Sequence, residues 1–196
     1  MTFQSIEYLI FFPIVFILYW TICSKSKMLQ NGLIVLASIL FYGWCDWQFI
    51  GLLFLTALST FLSGLLLENL NNQKRKLLLV ATIVLNVGIL FFFKYFNFFL
   101  QSFIDIFSLL GVYVSTSTLH ILLPIGISFY TFQILSYIID LSKNDVKIQK
   151  SYFKLLLYVS FFPQLIAGPI VRYSTIEQEI DNRKTSLKDF IYGFKR

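Results

Sequence analysis

Six apolar runs, broken by short polar connections, organise this chain: 6–22, 29–44, 48–67, 77–93, 119–139 and 153–171. Each approaches the ~20 residues that carry a helix across the hydrocarbon core of a bilayer. The pattern predicts an all-α, polytopic membrane protein, with residues 1–196 forming a single membrane domain. Trp44 and Trp47 place the end of the second run in the interfacial aromatic belt. The first run is read as a retained anchor, because Glu7 precedes it, no Lys or Arg does, and no small-residue cleavage site follows.

The sixth run differs from the others. Pro163, Gly168 and Pro169 interrupt it. Proline removes a backbone donor and clashes one turn back, and glycine loosens a helix. In lipid, freed backbone groups are tolerated only under cover of protein or beside a water-filled cavity. The expectation is about five full spans plus a broken, re-entrant element centred on 161–170.

Loop charge supports that reading. Lys25 and Lys27, then Lys74, Arg75 and Lys76, then Lys143, Lys147 and Lys150 mark the first, third and fifth connections. The intervening connections carry Lys94 alone. By the positive-inside rule the basic connections are cytoplasmic and the N-terminus lies outside. Residues 172–196 are the most basic stretch, and a fully crossing sixth segment would put them outside. A segment that dips in and returns removes the conflict.

Two shorter patterns complete the organisation. Phe96, Phe99, Phe103, Ile106 and Leu110 share one helical face, opposite Lys94, Asn97, Gln101 and Asp105. That pattern predicts a separate amphipathic helix lying in the outer interface. Near the C-terminus, Ser174 with Glu177 and Ser186 with Asp189 read as capping boxes.

Composition narrows the class further. The chain is 57% hydrophobic and 13% charged, against roughly 25% charged in a soluble domain. Mean hydropathy is +0.74. The net charge of +6 is scattered over short loops, which reads as topology and not as nucleic-acid binding. Cys23 and Cys45 are too few for a disulfide framework, and a single histidine excludes a histidine-rich metal site within this chain.

Candidate chemistry concentrates in the last two runs. Gly126, Tyr130, Gln133, Tyr137 and Asp140 follow at 4-3-4-3 spacing on one helical face, in a helix expected to start near Pro124. Polar side chains at membrane depth face the protein interior or a cavity. Two readings fit: a substrate tunnel wall, or hydrogen bonding between helices. Gln164 either binds a ligand or satisfies backbone groups freed by the break. Arg172 either attracts an anionic donor phosphate or anchors the chain at the cytoplasmic face. His120 has no evident orienting partner or nucleophile and is read as an interfacial ring. Thr56, Thr60 and Gly64 repeat at the spacing of close helix packing, and Asn86 reads as interhelical glue.

The runs LLPIGISFYTFQILSYIID (122–140) and FFPQLIAGPIVR (161–172) resemble signature stretches of membrane-bound O-acyltransferases, in the bacterial branch that acetylates alginate. LASILFYGW (36–44) and FKYFNF (93–98) resemble earlier segments of the same branch. The resemblance implies a helical membrane body with a tunnel through a thinned centre. It also implies transfer of an acetyl group from a cytoplasmic thioester, acetyl-coenzyme A, toward a cell-surface polysaccharide such as alginate or peptidoglycan. An extracytoplasmic acetyltransferase partner and the bacterial cytoplasmic membrane follow from the same source. On matching positions it assigns Pro124, Gly126, Ser128, Tyr130, Gln133, Tyr137 and Asp140 to tunnel and core. From the second motif it adds Pro163, Gln164, Gly168 and Pro169, with Arg172 as a contact for the donor phosphate. The family's hallmark histidine lies well downstream of both motifs, and His120 does not match it. The expectation is therefore the N-terminal half of the fold, with no catalytic residue, inactive without its C-terminal half. A transporter built around the broken segment, or a non-catalytic membrane scaffold, are the alternatives.

Overall fold

The computed structural model describes residues 4–109, 121–165, 168–183, 191–193 and 195, and among them every regular element is helical. His120 and the proposed Ser186–Asp189 capping box lie outside the described residues.

Helix α1 spans Ile6–Trp20 and is capped by Ser5, whose Oγ accepts from the Tyr8 N–H at 3.3 Å. A side-chain oxygen there satisfies one of the orphan donors of the first turn. No residue of α1 is buried; aromatic edges hold it, with Tyr8 on Phe41 and Phe11 on Phe162. Helix α2 (Lys27–Asp46) and α3 (Ile50–Leu67) are joined by a 3-10 turn at Trp47–Phe49.

Helix α4 runs without interruption from Asn72 to Leu109. Its 38 residues make a rod of about 57 Å at ~1.5 Å per residue. This corrects the expectation of a separate interfacial helix over 94–110. No proline or glycine stands between Ile89 and Leu109, so nothing ends the helix that begins at Asn72. Lys94, Gln101 and Asp105 remain exposed along its second half.

Helix α5 (Ile127–Ser142) starts three residues after Pro124. Before it, residues 121–126 are irregular and are tied by side chains. Asn97 Nδ2 donates to the Ile121 carbonyl at 2.7 Å, and Asn97 Oδ1 accepts from the Ile121 N–H at 3.0 Å. Asp46 Oδ2 takes the Ile125 N–H at 3.1 Å.

The sixth apolar run is broken, as proline chemistry requires. Helix α6 (Tyr152–Ser160) stops at Phe161, whose φ of −51° and ψ of 106° leave the helical region. A four-residue helix α7 (Phe162–Leu165) follows, and α8 covers Tyr173–Asn182. The N-cap of α8 is Arg172, without a side-chain capping bond. The Ser174–Glu177 capping box is thereby corrected, because Ser174 lies inside the first turn.

Contacts fix which ends share a side. Lys150 pairs with Glu68 at 3.3 Å, and Arg75 Nη2 donates to Asn144 Oδ1 at 2.8 Å. Lys154 pairs with Asp181 at 2.8 Å, and Asn31 Nδ2 donates to the Ile180 carbonyl at 3.0 Å. The three basic connections and α8 therefore occupy one end of the bundle. The chain leaves that end along α6, turns through α7, and is back by Tyr173.

One buried cluster fills the space between α2, α3, α5, α6 and α8, with Leu53, Ala57, Ile134, Ile138, Leu155 and Val159 among its members. The Thr56–Thr60–Gly64 stripe packs as expected. Gly64 faces α5, where a Cβ would stand in ordinary contact, 3.5 Å from both the Tyr137 hydroxyl and Leu141 Cδ2. Thr82 Oγ1 donates to Ser63 Oγ at 2.8 Å, linking α4 to α3. Asn86 is different from its expected role: its amide donates within its own helix, to the Thr82 carbonyl at 2.9 Å, and its Oδ1 has no partner among the described residues.

The outside of the bundle is apolar. Ile10, Ile14 and Ile17 on α1, Leu55 and Leu62 on α3, and Val84, Phe91 and Phe98 on α4 are all exposed. The stretches Lys27–Leu67 and Asn72–Leu109 are long and apolar enough to cross a membrane, by length and composition.

Candidate functional site

The two signature runs meet in space. Gly126 begins α5 with φ of +75°, a left-handed conformation that glycine adopts without steric cost. A Cβ built there would lie 2.7 Å from the Leu165 carbonyl oxygen, at the end of α7. Gly126 thus serves both a backbone angle and a backbone-to-backbone approach. On the other side of that contact, a Cβ on Gly168 would fall 2.7 Å from Gln164 Cα. Both motif glycines are there because the chain passes too close for a side chain.

The break is covered by protein. Pro163 has no N–H to offer Val159, and its ring would crowd that carbonyl, so α6 cannot continue through it. The freed Phe162 N–H donates to Ser38 Oγ of α2 at 3.1 Å, in a buried setting. Gln164 Nε2 donates to the Pro169 carbonyl at 2.7 Å. Of the two readings of Gln164, this geometry realises the one in which it satisfies the interrupted backbone. Pro124 is buried and its carbonyl accepts from the Ile127 N–H; Ser128 is half-buried; Pro169 is exposed.

The polar face of α5 is turned inward. Tyr130, Gln133, Tyr137 and Asp140 are all at most 5% exposed. Tyr137 is satisfied, since its hydroxyl accepts the Gln149 N–H at 3.0 Å. The others keep unused capacity. The Tyr130 hydroxyl, Gln133 Oε1 and Asp140 Oδ2 have no hydrogen-bond partner among the described residues. Neither do the Tyr42 hydroxyl and Ser160 Oγ. Tyr42 and Tyr130 are neighbours, but their hydroxyls make no bond of good geometry. An unpaired buried polar group costs about 1–3 kcal/mol. Such groups on α2, α5 and α6 mark an interior able to bond something that passes or binds there.

Below this region three tyrosines pack edge to face. Tyr137 and Tyr173 have ring centroids 4.9 Å apart, and Tyr158 and Tyr173 5.2 Å. Tyr158 donates to the Val171 carbonyl at 2.8 Å, tying the outgoing and returning arms of the hairpin together. Gln149 bridges the cluster, donating from Nε2 to the Tyr173 hydroxyl at 2.7 Å. Burial pushes the Tyr173 phenol up to about 12, only partly offset by the Gln149 bond. It stays protonated at any physiological pH.

Arg172 is exposed and has no side-chain partner among the described residues. A different arginine is built into the fold. Arg183 Nη2 donates to Asn31 Oδ1 at 2.8 Å, Arg183 reaches Gln30 Oε1 at 3.3 Å, and its guanidinium lies 5.5 Å from the Tyr19 ring centroid. Sequence reasoning missed Arg183, Gln149, Tyr158, Tyr173 and the α2 residues Asn31, Ser38 and Tyr42. Part of that set had a signal. Asn31, Val35, Ser38 and Tyr42 recur at 4-3-4 spacing, one helical face with three polar members inside an apolar run.

Fold and site together describe an all-helical protein whose polar interior borders a broken helical hairpin. Comparison with known proteins places it more closely. The chain is 33% identical over 199 residues to a probable alginate O-acetylase of Azotobacter vinelandii, covering 100% of this chain and 39% of that protein. It is 32% identical over 199 residues to the probable alginate O-acetylase of Pseudomonas aeruginosa, covering 100% of this chain and 38% of the relative. A peptidoglycan O-acetyltransferase of Helicobacter pylori is 30% identical over 207 residues, covering 92% of this chain and 38% of the relative. The chain spans about two-fifths of the length of these relatives, at their N-terminal side. No family model and no solved structure matches it. The chain is homologous to the N-terminal part of bacterial proteins named alginate O-acetylase and peptidoglycan O-acetyltransferase.

Proposed function

We propose that this chain builds the tunnel wall and cytoplasmic entrance of a membrane O-acyltransferase. The enzyme moves an acetyl group from acetyl-coenzyme A in the cytoplasm toward a cell-surface polysaccharide such as alginate or peptidoglycan. It sits in the bacterial cytoplasmic membrane with its N-terminus outside. The basic connections and α8 face the cytoplasm, and the hairpin of α6 and α7 dips into the bilayer and returns. The exposed apolar surface of α1, α3 and α4 supports burial in lipid. The lysine pattern and the shared end of the basic connections support the orientation.

The observation that carries the reading is the meeting of the two motifs at Gly126 and Leu165, beside the unpartnered polar atoms of Tyr42, Tyr130, Gln133 and Ser160. An acetyl transfer must be shielded from water, and its polar reactants need hydrogen-bond partners along a dry path. These groups supply that capacity without forming a charged site. In this reading Arg172, exposed at the start of α8, meets the donor's phosphates. No position of this chain takes the part of the family's hallmark histidine, so none here is assigned a catalytic role. The acceptor is reached through an extracytoplasmic acetyltransferase that completes transfer onto polymer.

The test uses the full protein carrying this chain, reconstituted in liposomes with labelled acetyl-coenzyme A inside and acceptor glycan plus partner outside. Label is expected to reach the glycan. Gln133→Leu is expected to slow transfer roughly tenfold, equivalent to about 1.4 kcal/mol of barrier, while the protein still melts cooperatively. A folded protein that moves no acetyl group contradicts the proposal.

A further inference from the structure

A cavity of about 270 Å³ opens where α1, α2, α6, α7 and α8 meet, running from Phe161 and Gln164 at the break to Arg183, beside the end that carries the basic connections. Ile34, Leu157, Phe161 and Ile176 give it apolar walls, and Arg183 and Glu179 stand on its lining. That size is at the lower limit of ligand pockets.

The arginine is what sets this cavity apart. Its Nε and Nη2 are held by the amide oxygens of Gln30 and Asn31, at 3.4, 3.3 and 2.8 Å. Both amides are buried, and the guanidinium also rests on the Tyr19 ring. Every one of these partners is neutral. Glu179 lines the same cavity, yet makes no ion pair with Arg183 among the described residues. The charge is thus oriented and half-buried but not neutralised, and Nη1 has no partner among the described residues. A cation placed this way by buried amides is a receptor for an anion. Lys25, in the turn before α2, and Lys27, its first residue, are exposed on the same end and add attraction for negative head groups. The neighbouring surface of α1 is apolar and uncovered, with Ile17 and Trp20 exposed.

We propose that this cavity holds one acyl chain of an anionic phospholipid, whose phosphate sits on Arg183. The inference rests on the membrane placement proposed above. The lipid fills the gap between α1 and α8. Tyr158 lines the cavity and carries the Val171 bond, so the bound chain also braces the returning arm of the hairpin. Glu179 is exposed and solvated, which leaves the phosphate contact to Arg183.

The test is native mass spectrometry of the detergent-purified full protein, titrated with phosphatidylglycerol or phosphatidylcholine of equal chain length. One retained phosphatidylglycerol is expected, with at least a tenfold preference over phosphatidylcholine. Arg183→Gln should bring retention down to that of phosphatidylcholine. Ile176→Trp fills the cavity from a position two helical turns before the arginine, leaves Arg183, Gln30 and Asn31 themselves unchanged, and should abolish retention with the melting transition preserved. Glycerol phosphate should not displace the lipid. Equal retention of the two lipids, retention unchanged in both variants, or displacement by glycerol phosphate would overturn the inference. A protein recovered in the soluble fraction without detergent would instead overturn the membrane placement itself.

Discussion

Gly126→Ala is expected to lower the stability of the protein by about 2–5 kcal/mol. Two costs add. An alanine held at φ of +75° loses roughly 1–2 kcal/mol to the left-handed conformation. Its Cβ would also stand 2.7 Å from the Leu165 carbonyl, a backbone atom that cannot swing aside. Relieving that overlap shifts α7, at a cost of about 1–3 kcal/mol. The polar interior moves with it, so acetyl transfer should fall more steeply than stability alone explains. Thermal unfolding in detergent together with transfer activity measures both. Gly32→Ala provides the control, because a Cβ there meets nothing within 4 Å.

Ser38→Ala ranks second. It removes the acceptor that covers the Phe162 N–H at the top of the hairpin and leaves a buried donor unpaired. The expected loss is about 1–3 kcal/mol. The serine also donates to the Ile34 carbonyl at 2.7 Å, but that carbonyl belongs to a helix and loses little. Hydrogen exchange should speed up at Phe162 specifically, and not along α2. Uniform protection in the variant would show that the break does not depend on Ser38.

The helices were legible because apolar runs of near-spanning length can hardly form anything else. The interruption was legible too, since Pro163 forbids a bond to Val159 whatever surrounds it. Its position was less so. The backbone leaves the helix at Phe161, before the proline, because the clash falls on the preceding turn. The continuity of α4 was missed for a related reason. A polar stripe at Lys94, Gln101 and Asp105 suggested a change of environment, but a helix ends only where something stops its hydrogen bonds. On α5, spacing alone put Tyr130, Gln133, Tyr137 and Asp140 on one face, and that face is buried. What periodicity could not reveal is which elements they meet. Ser38 under Phe162, Leu165 on Gly126 and Asn31 holding Arg183 are contacts across 124, 39 and 152 residues. They depend on how the helices pack, and no local pattern encodes them.

The hairpin's return to its starting side is the claim on which the proposed tunnel rests, and accessibility labelling tests it most directly. In the protein with Cys23 and Cys45 replaced by serine, single cysteines go at Asn144, Ser174 and Gln48. A membrane-impermeant thiol reagent should reach Asn144→Cys and Ser174→Cys only from the cytoplasmic side, and Gln48→Cys only from outside. Labelling of Ser174→Cys from outside alone would mean that the sixth segment crosses the bilayer, which contradicts the account.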